Sequence, residues 1–475
     1  METVPIFKRL DQELVYDSSV EATEIDEIQC DRLSVANLNQ ANTQLKFYYA
    51  ADFKFLMSSP DSGFLVKCRF RTRNNNATDM NASITLDSNC FGYLFDEAIL
   101  RLGGNCVEHV RQLGIVSDVF YHMSDSEFKQ KNGEMVGFIP DNSNEISDTI
   151  GSRIGDIAGN DVAGVIANVN NANQRNIRIN ENYNEGFVRR RKLYNYIVAG
   201  NDNFREIELF IPLNRIFSFC EVNRLLKYIP FEIVLTRSGN YSHCNYGANN
   251  TAIDFGNDES GLISIVLQLE RIKLRADISS DMEKMYKRPF YVSYFKRICE
   301  QSATQAGVQS TFSCVRTFNN EDDGNPRYLF VLIKPHANDT AKINYQRCCH
   351  ANISSITVRY SSNTYPLLPQ SADWNRNQYS QFYKEFIRVS KSLGNSNPGL
   401  SMQEFRDLYT IYALDLSAQA VASKTNQLTI TITRRTVPDQ NNQTLQNPRD
   451  IDAFFVIISE AKIQIDCLNK VTRKI

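Results

Sequence analysis

The chain holds one tryptophan and five histidines in 475 residues, and its charges nearly cancel, 52 Lys plus Arg against 54 Asp plus Glu. A net charge of −2 supplies no field of one sign for steering toward nucleic acid or an anionic membrane, which counts against a dedicated DNA-binding protein. The histidines (His109, His122, His243, His336 and His350) fall in no recognisable constellation, and no G-x-S-x-G turn is present to expose a nucleophilic serine. The chain is therefore read as non-enzymatic. No stretch approaches the ~18 uninterrupted apolar residues of a membrane helix, and the opening METVPIFKRLDQELVYDSS lacks the basic-then-apolar order of a secretory signal. Synthesis and folding in cytosol or nucleus is expected. Eleven cysteines, an odd number scattered over a long chain, do not resemble the disulfide framework of a small secreted domain and are read as reduced. Sequons at Asn76, Asn352 and Asn442 are read as chance occurrences in an Asn-rich chain.

What the chain does contain is core material. Hydrophobic residues make up 42%, with 28 Phe and 22 Tyr, enough for more than one core in a length that predicts two or three domains. The most informative feature is a repeated grammar. SITLDSNCFGYLFDEAILRLGGNCVE, from Ser83 to Glu108, is echoed some 260 residues later by CCHANISSITVRYSSNTYPLLP, from Cys348 to Pro369. Both alternate β-branched or apolar residues with polar ones around a small-residue turn, Gly103-Gly104-Asn105 in one and Ser361-Ser362-Asn363 in the other, the signature of a β hairpin. Two hairpins of one design imply one all-β domain built twice.

The rest of the chain is read around those hairpins. The first 43 residues are acidic (Glu21, Glu24, Asp26, Glu27, Asp31) and without sustained period, so they read as an extended arm. Strands follow at QLKFYYAADFKFLM and GFLVKCRFRTR, joined by a turn at Pro60-Asp61-Ser62-Gly63. Further strands are read at FVRRRKLYNYIVAG, FREIELFIPLNRIF, YIPFEIVLTRS and ISIVLQLERIKLRADI, which with the hairpin make eight between Gln44 and Ile278. Eight antiparallel strands suffice for a jelly roll. The Asn- and Gly-rich stretch 141–186 reads as an exposed insert. A second set runs over 279–475 as FYVSYFKRICEQ, STFSCVRTF, RYLFVLIKP, the second hairpin, LYTIYALDLS, QLTITITRRT and AFFVIISEAKIQIDCL. Helices are expected after each hairpin, near Val116, Val119, Phe120 and Met123 and from Gln378 to Gly394 with Phe382, Phe386 and Val389 on one side. The fold class is thus all-β, two tandem eight-stranded antiparallel jelly rolls with short accessory helices.

Candidate chemistry is sparse. Cys348-Cys349-His350 and His243-Cys244 are the nearest approaches to a metal cluster, but neither has the second ligand pair a zinc site needs, and packing is the better reading. No cofactor is expected. The glycines of GSRIGDIAGNDVAG lack the Lys-Ser/Thr of a phosphate loop. Two basic runs remain, Arg189-Arg190-Arg191-Lys192 and Lys470-Val471-Thr472-Arg473-Lys474. Arg189, Arg190, Arg191, Lys192, Lys470, Arg473 and Lys474 are therefore candidates for a small nucleic-acid-facing or intersubunit patch, the first run being placed in a strand.

Four pieces in fixed order, SNCFGYLFDEAILRLGGNCVE, RRRKLYNYIVAG…IELFIPLNRIFSFCEVNRLLKYIPFEIVLTR, FSCVRTF…RYLFVLIKP…NISSITVRYSSNTYPL and SMQEFRDLYTIYALDLSAQ, carry a resemblance. The chain resembles the double jelly-roll major capsid proteins of Polinton/Maverick elements and adintovirus-like viruses, and more distantly those of virophages. That resemblance implies a homotrimer whose six jelly rolls make a pseudo-hexagonal capsomer of an icosahedral double-stranded DNA virus, or an endogenous copy of one. It implies as partners neighbouring capsomers, a penton or minor capsid protein and weak contact with packaged DNA, with no reading of a membrane. It places the protein in the virion after synthesis in host cytoplasm, with the nucleus a candidate site of assembly. The alternative from another class is a jelly-roll carbohydrate- or receptor-binding protein that forms no shells.

Overall fold

The computed structural model describes residues 20–31, 34–50, 54–72, 84–142, 184–194, 197–198, 201–222, 225–239, 244–247, 253–254, 261–305, 311–319, 322–336, 345–360, 363–366, 370–418, 425–435, 448 and 450–474. Eight strands build the first half: β1 (Val20–Gln29), β2 (Gln44–Tyr49), β3 (Gly63–Thr72), β4 (Phe95–Leu102), β5 (Asn105–Arg111), β6 (Asn201–Pro212), β7 (Phe231–Arg237) and β8 (Gly261–Leu274). Eight more build the second: β9 (Phe290–Gln301), β10 (Thr311–Asn319), β11 (Asn325–Pro335), β12 (Ile353–Tyr360), β13 (Asn363–Tyr365), β14 (Ile411–Asp415), β15 (Thr425–Arg434) and β16 (Ile451–Asp466). A last strand, β17 (Val471–Lys474), folds back on β16. The longer helices are α1 (Leu113–Met123), α2 (Glu185–Tyr194), α3 (Ala276–Tyr286) and α4 (Ser380–Ser392).

The two halves share one topology. The first has sheets β1-β8-β3-β6 and β2-β7-β4-β5, the former with short strands at its margins, and the second has β9-β16-β11-β14 and β10-β15-β12-β13. Within each half the order is first-eighth-third-sixth and second-seventh-fourth-fifth. That is a jelly roll twice over. Alternation fills each sandwich: Phe64, Val66, Cys68 and Phe70 of β3 are buried, and Phe64 meets Phe47 of β2 across the sandwich with ring centroids 5.0 Å apart. Both signature hairpins form, Leu102 pairing with Asn105 and Tyr360 with Asn363. Gly103 (φ +55°) and Gly104 (φ +82°) supply the two positive φ values of a type I′ turn. A helix follows each hairpin, and α4 buries Phe382, Phe386 and Val389.

Two elements differ from expectation. The acidic segment read as an arm contains β1, paired along β8 from Val20 to Gln29. As an edge strand it exposes residues of both parities, Ala22 to Ile25 all being open, so no strong period 2 marks it in the sequence. The basic run lies in helix α2, not in a strand: Asn184 accepts from the Phe187 N–H at 3.1 Å and Glu185 sits in the first turn, a capping pair that a strand reading overlooks. The first roll thus takes its eighth strand from before Gln44. The insert 143–183, with its glycine motif, lies outside the described residues.

Candidate functional site

The chemistry of this molecule is concentrated in a buried polar seam where the two rolls meet. Sheet β9-β16-β11-β14 is apolar on the side turned to the first roll, with Phe330, Leu332, Phe454, Val456 and Ile458 all buried. Lys334 ends that row of β11, and its ammonium lies 3.8 Å from Asp118 of α1, both side chains nearly or wholly buried. The Asp118 carboxylate also accepts from Asn89 at 2.7 Å, from the Tyr93 hydroxyl and from Gln346 at 3.4 Å. Burial pushes its pKa up to about 6, with Lys334 opposing. Helix α1 presents Asp118 and His122 four residues apart on one side. The His122 ring lies 4.0 Å from that of Tyr409 in the second roll, and burial holds it well below the usual imidazole range.

A second group centres on Asp141. Its carboxylate accepts from Arg190 at 2.8 Å and from Arg347 at 3.1 Å, and its backbone N–H donates to the Tyr409 hydroxyl at 2.7 Å. Arg190 belongs to the first roll and Arg347 to the second, so one carboxylate ties both. Nearby Asp87 accepts from the Ser88 N–H at 2.7 Å, while no donor among the described residues reaches its second oxygen. Burial raises its pKa to about 7. Along the open edge of β9, Glu108 of β5 accepts from the Arg297 N–H at 3.3 Å and the Phe219 N–H at 3.0 Å, and burial takes its pKa to about 7. The Arg297 guanidinium donates to Glu221 at 2.6 Å and stacks 3.8 Å from the Phe120 ring. At the far end β17 closes the joint: Thr472 donates to the Leu102 carbonyl at 2.8 Å and its own carbonyl accepts from Asn105 at 2.6 Å.

The basic candidates fare unevenly. Arg190 is fully buried against Asp141, and a buried, paired guanidinium cannot reach a phosphate backbone, so it leaves the patch. Arg189 faces Glu134 at 2.5 Å and is half-exposed, and the side chains of Arg191 and Lys192 lie outside the described residues. Lys470 occupies the turn before β17 at φ +55°, Arg473 is exposed, and Lys474 pairs with Asp322 at 2.9 Å. Of the basic candidates whose side chains are described, Arg190 belongs to the seam, while Arg189, Arg473 and Lys474 reach the surface. Sequence reasoning missed Asp87, Asp118, Asp141, Lys334 and Arg347. Only Lys334 carried a signal, as the lone charge ending the apolar run Tyr328–Ile333.

Cys348 and Cys349 are buried, with burial raising their thiols to about 11 and about 12. His350 stacks 4.4 Å from Trp374 and accepts the Asn352 N–H at 3.0 Å. These are packing roles. Among the described residues no three His, Cys, Asp or Glu gather as a metal set, and His243 lies outside them.

A double jelly roll-like domain family model matches residues 167–446. A chain of the Sputnik virophage structure aligns at TM-score 0.56 and 11% identity, over 97% of this chain and 89% of that one. A chain of the PBCV-1 virus capsid aligns at TM-score 0.50 and 9% identity, over 94% and 96%. The faustovirus major capsid protein aligns at TM-score 0.50 and 10% identity, over 94% and 91%. No curated protein matches the sequence. With the family model covering more than half of the chain and both halves sharing the strand order of a jelly roll, the chain belongs to the double jelly roll-like family.

Proposed function

We propose that this chain is a major capsid protein, with a structural rather than catalytic role, working as a homotrimeric pseudo-hexagonal tile of an icosahedral shell. The observation that carries the reading is the seam. Two jelly rolls joined through buried ion pairs and an apolar sheet face make one stiff unit of two rolls, the form a shell tile requires. The fold relatives named above come from a virophage and from viral capsids, and the sequence blocks of the Polinton and adintovirus kind favour that lineage or an endogenous copy. The proposed junction between rolls, at residues 278 and 279, falls within α3. Virion localisation, neighbouring capsomers and a penton or minor capsid protein belong to the same proposal. Any contact with packaged DNA would draw on Lys470, Arg473 and Lys474 rather than on the buried Arg190.

Mass-resolved light scattering of the purified chain across pH and salt, followed by negative-stain electron microscopy, tests this. Particles of about three times the 54.3 kDa chain mass, or closed shells with hexagonal faces, are expected. A persistent monomer that binds glycans would instead support the shell-free binding protein.

A further inference from the structure

The duplicated rolls differ in one face. On the outer side of sheet β10-β15-β12-β13, the register sets Ser313, Thr431 and Thr357 in one row and Val315, Thr429 and Arg359 in the next. The intervening residues, among them Ile356, Val358, Ile430 and Ile432, are buried in the sandwich. The outer rows are therefore short, neutral and largely β-branched, Val315 is 53% exposed, and Arg359 is the only charge in those two rows. The equivalent face of the first roll, on sheet β2-β7-β4-β5, is ordinary solvated surface. There Arg101 pairs with Glu232 at 2.5 Å and Arg111 with Glu97 at 3.6 Å. In a chain with 22% charged residues, a face emptied of charge while its duplicate keeps ion pairs is shaped for a cover.

Seating the first roll's outer surface against it, for example the half-exposed Lys67–Glu208 pair at 3.0 Å, would desolvate charges with nothing to compensate them. Against a copy of itself the face buries mostly neutral groups, and two flat β surfaces pack well. Strand and residue spacings give the two rows an area of roughly 200 Å², about a quarter of the ~800 Å² per partner in a stable complex. Such a contact is too small to hold a dimer in dilute solution but adds up when many repeat in a lattice.

We propose that the outer face of β10-β15-β12 is a self-complementary, two-fold contact between two copies of this chain, joining neighbouring tiles rather than building the tile. This rests on the capsid reading. The central residue Thr431 then approaches its own copy. The experiment uses the full chain with Thr431→Lys and Thr431→Glu, alone and mixed one to one, read by building-block mass, far-ultraviolet circular dichroism and particle assembly. In parallel, Thr431→Cys is treated with a short bis-maleimide, with Lys46→Cys on the first roll as control. Each charged variant should keep the wild-type building-block mass and lose assembly at least tenfold, and the mixture should recover it. The Thr431→Cys chain should crosslink to its own copy several-fold more than the control. Charged variants that assemble like wild type, or a block that mixing does not relieve, would overturn the self-pairing. If the wild type forms no shells yet position 431 crosslinks, the capsid reading falls and the contact stands; shells without that crosslink give the reverse.

Discussion

Replacing Asp141 by Asn removes a charge that binds both Arg190 of the first roll and Arg347 of the second. The side chains of Asp141 and Arg190 are 0% exposed and that of Arg347 is 6% exposed, so water cannot replace the lost carboxylate. Breaking a buried pair by neutralising one partner costs ~3–5 kcal/mol, because an uncompensated charge stays behind. For a chain of 475 residues unfolding as one unit that corresponds to a fall in melting temperature of roughly 3–5 °C. The comparison variant is Glu134→Gln, which opens the half-exposed pair with Arg189 at 2.5 Å in the same region. There water takes over, and the expected cost is ~0–1 kcal/mol. Urea unfolding of both variants, followed by tryptophan emission and circular dichroism, checks the reasoning. Equal and small losses would show that the seam is not held by its charges, and the rigid-tile argument would lose its main support.

Further outcomes follow from other parts of the molecule. Asp87 and Glu108 titrate at about 7 and Asp118 at about 6, above their unfolded values of ~4. Their protonated forms are favoured by folding, so this contribution is whole below about pH 4 and lost as pH rises through about 6 to 7. Unfolding midpoints taken from pH 8 to pH 5 should therefore carry an upward component on acidification that Asp87→Asn diminishes. In the first hairpin, a Cβ on Gly103 would meet the Lys470 carbonyl oxygen at 2.6 Å, while one on Gly104 meets nothing within 4 Å. Gly103→Ala should lower the melting temperature by several degrees and Gly104→Asn hardly at all, since Asn tolerates positive φ. Trp374 is buried between His350 and Tyr379, its indole N–H donating to Ile353 at 2.8 Å. Its emission should be blue-shifted and, if the seam couples the rolls, should red-shift at the same denaturant concentration at which circular dichroism reports the whole chain. Separate transitions would refute that coupling.

Much of the architecture was legible because it is written at the scale of a hairpin. Alternation around Gly103-Gly104 and Ser361-Ser362, and the 3.6 spacing of Phe382, Phe386 and Val389, depend only on neighbours a few residues away. The continuous apolar run Tyr328–Ile333 was likewise legible as a strand, while the cover on both its faces came from the tertiary structure. Elements with weak local signal were not legible. Edge strand β1 buries little and so carries no period, and α2 resembled a basic strand until Asn184 was seen to cap it. The sequence by itself determined that the chain is rich in strands and duplicated, because backbone periodicity and turn chemistry are local, whereas the jelly-roll strand order is a matter of long-range pairing. Only the tertiary structure decided what the charged residues do. Asp87, Asp118, Asp141, Arg190, Lys334 and Arg347 lie far apart in the chain, and it is burial between two packed rolls that turns ordinary surface residue types into a paired, proton-sensitive seam.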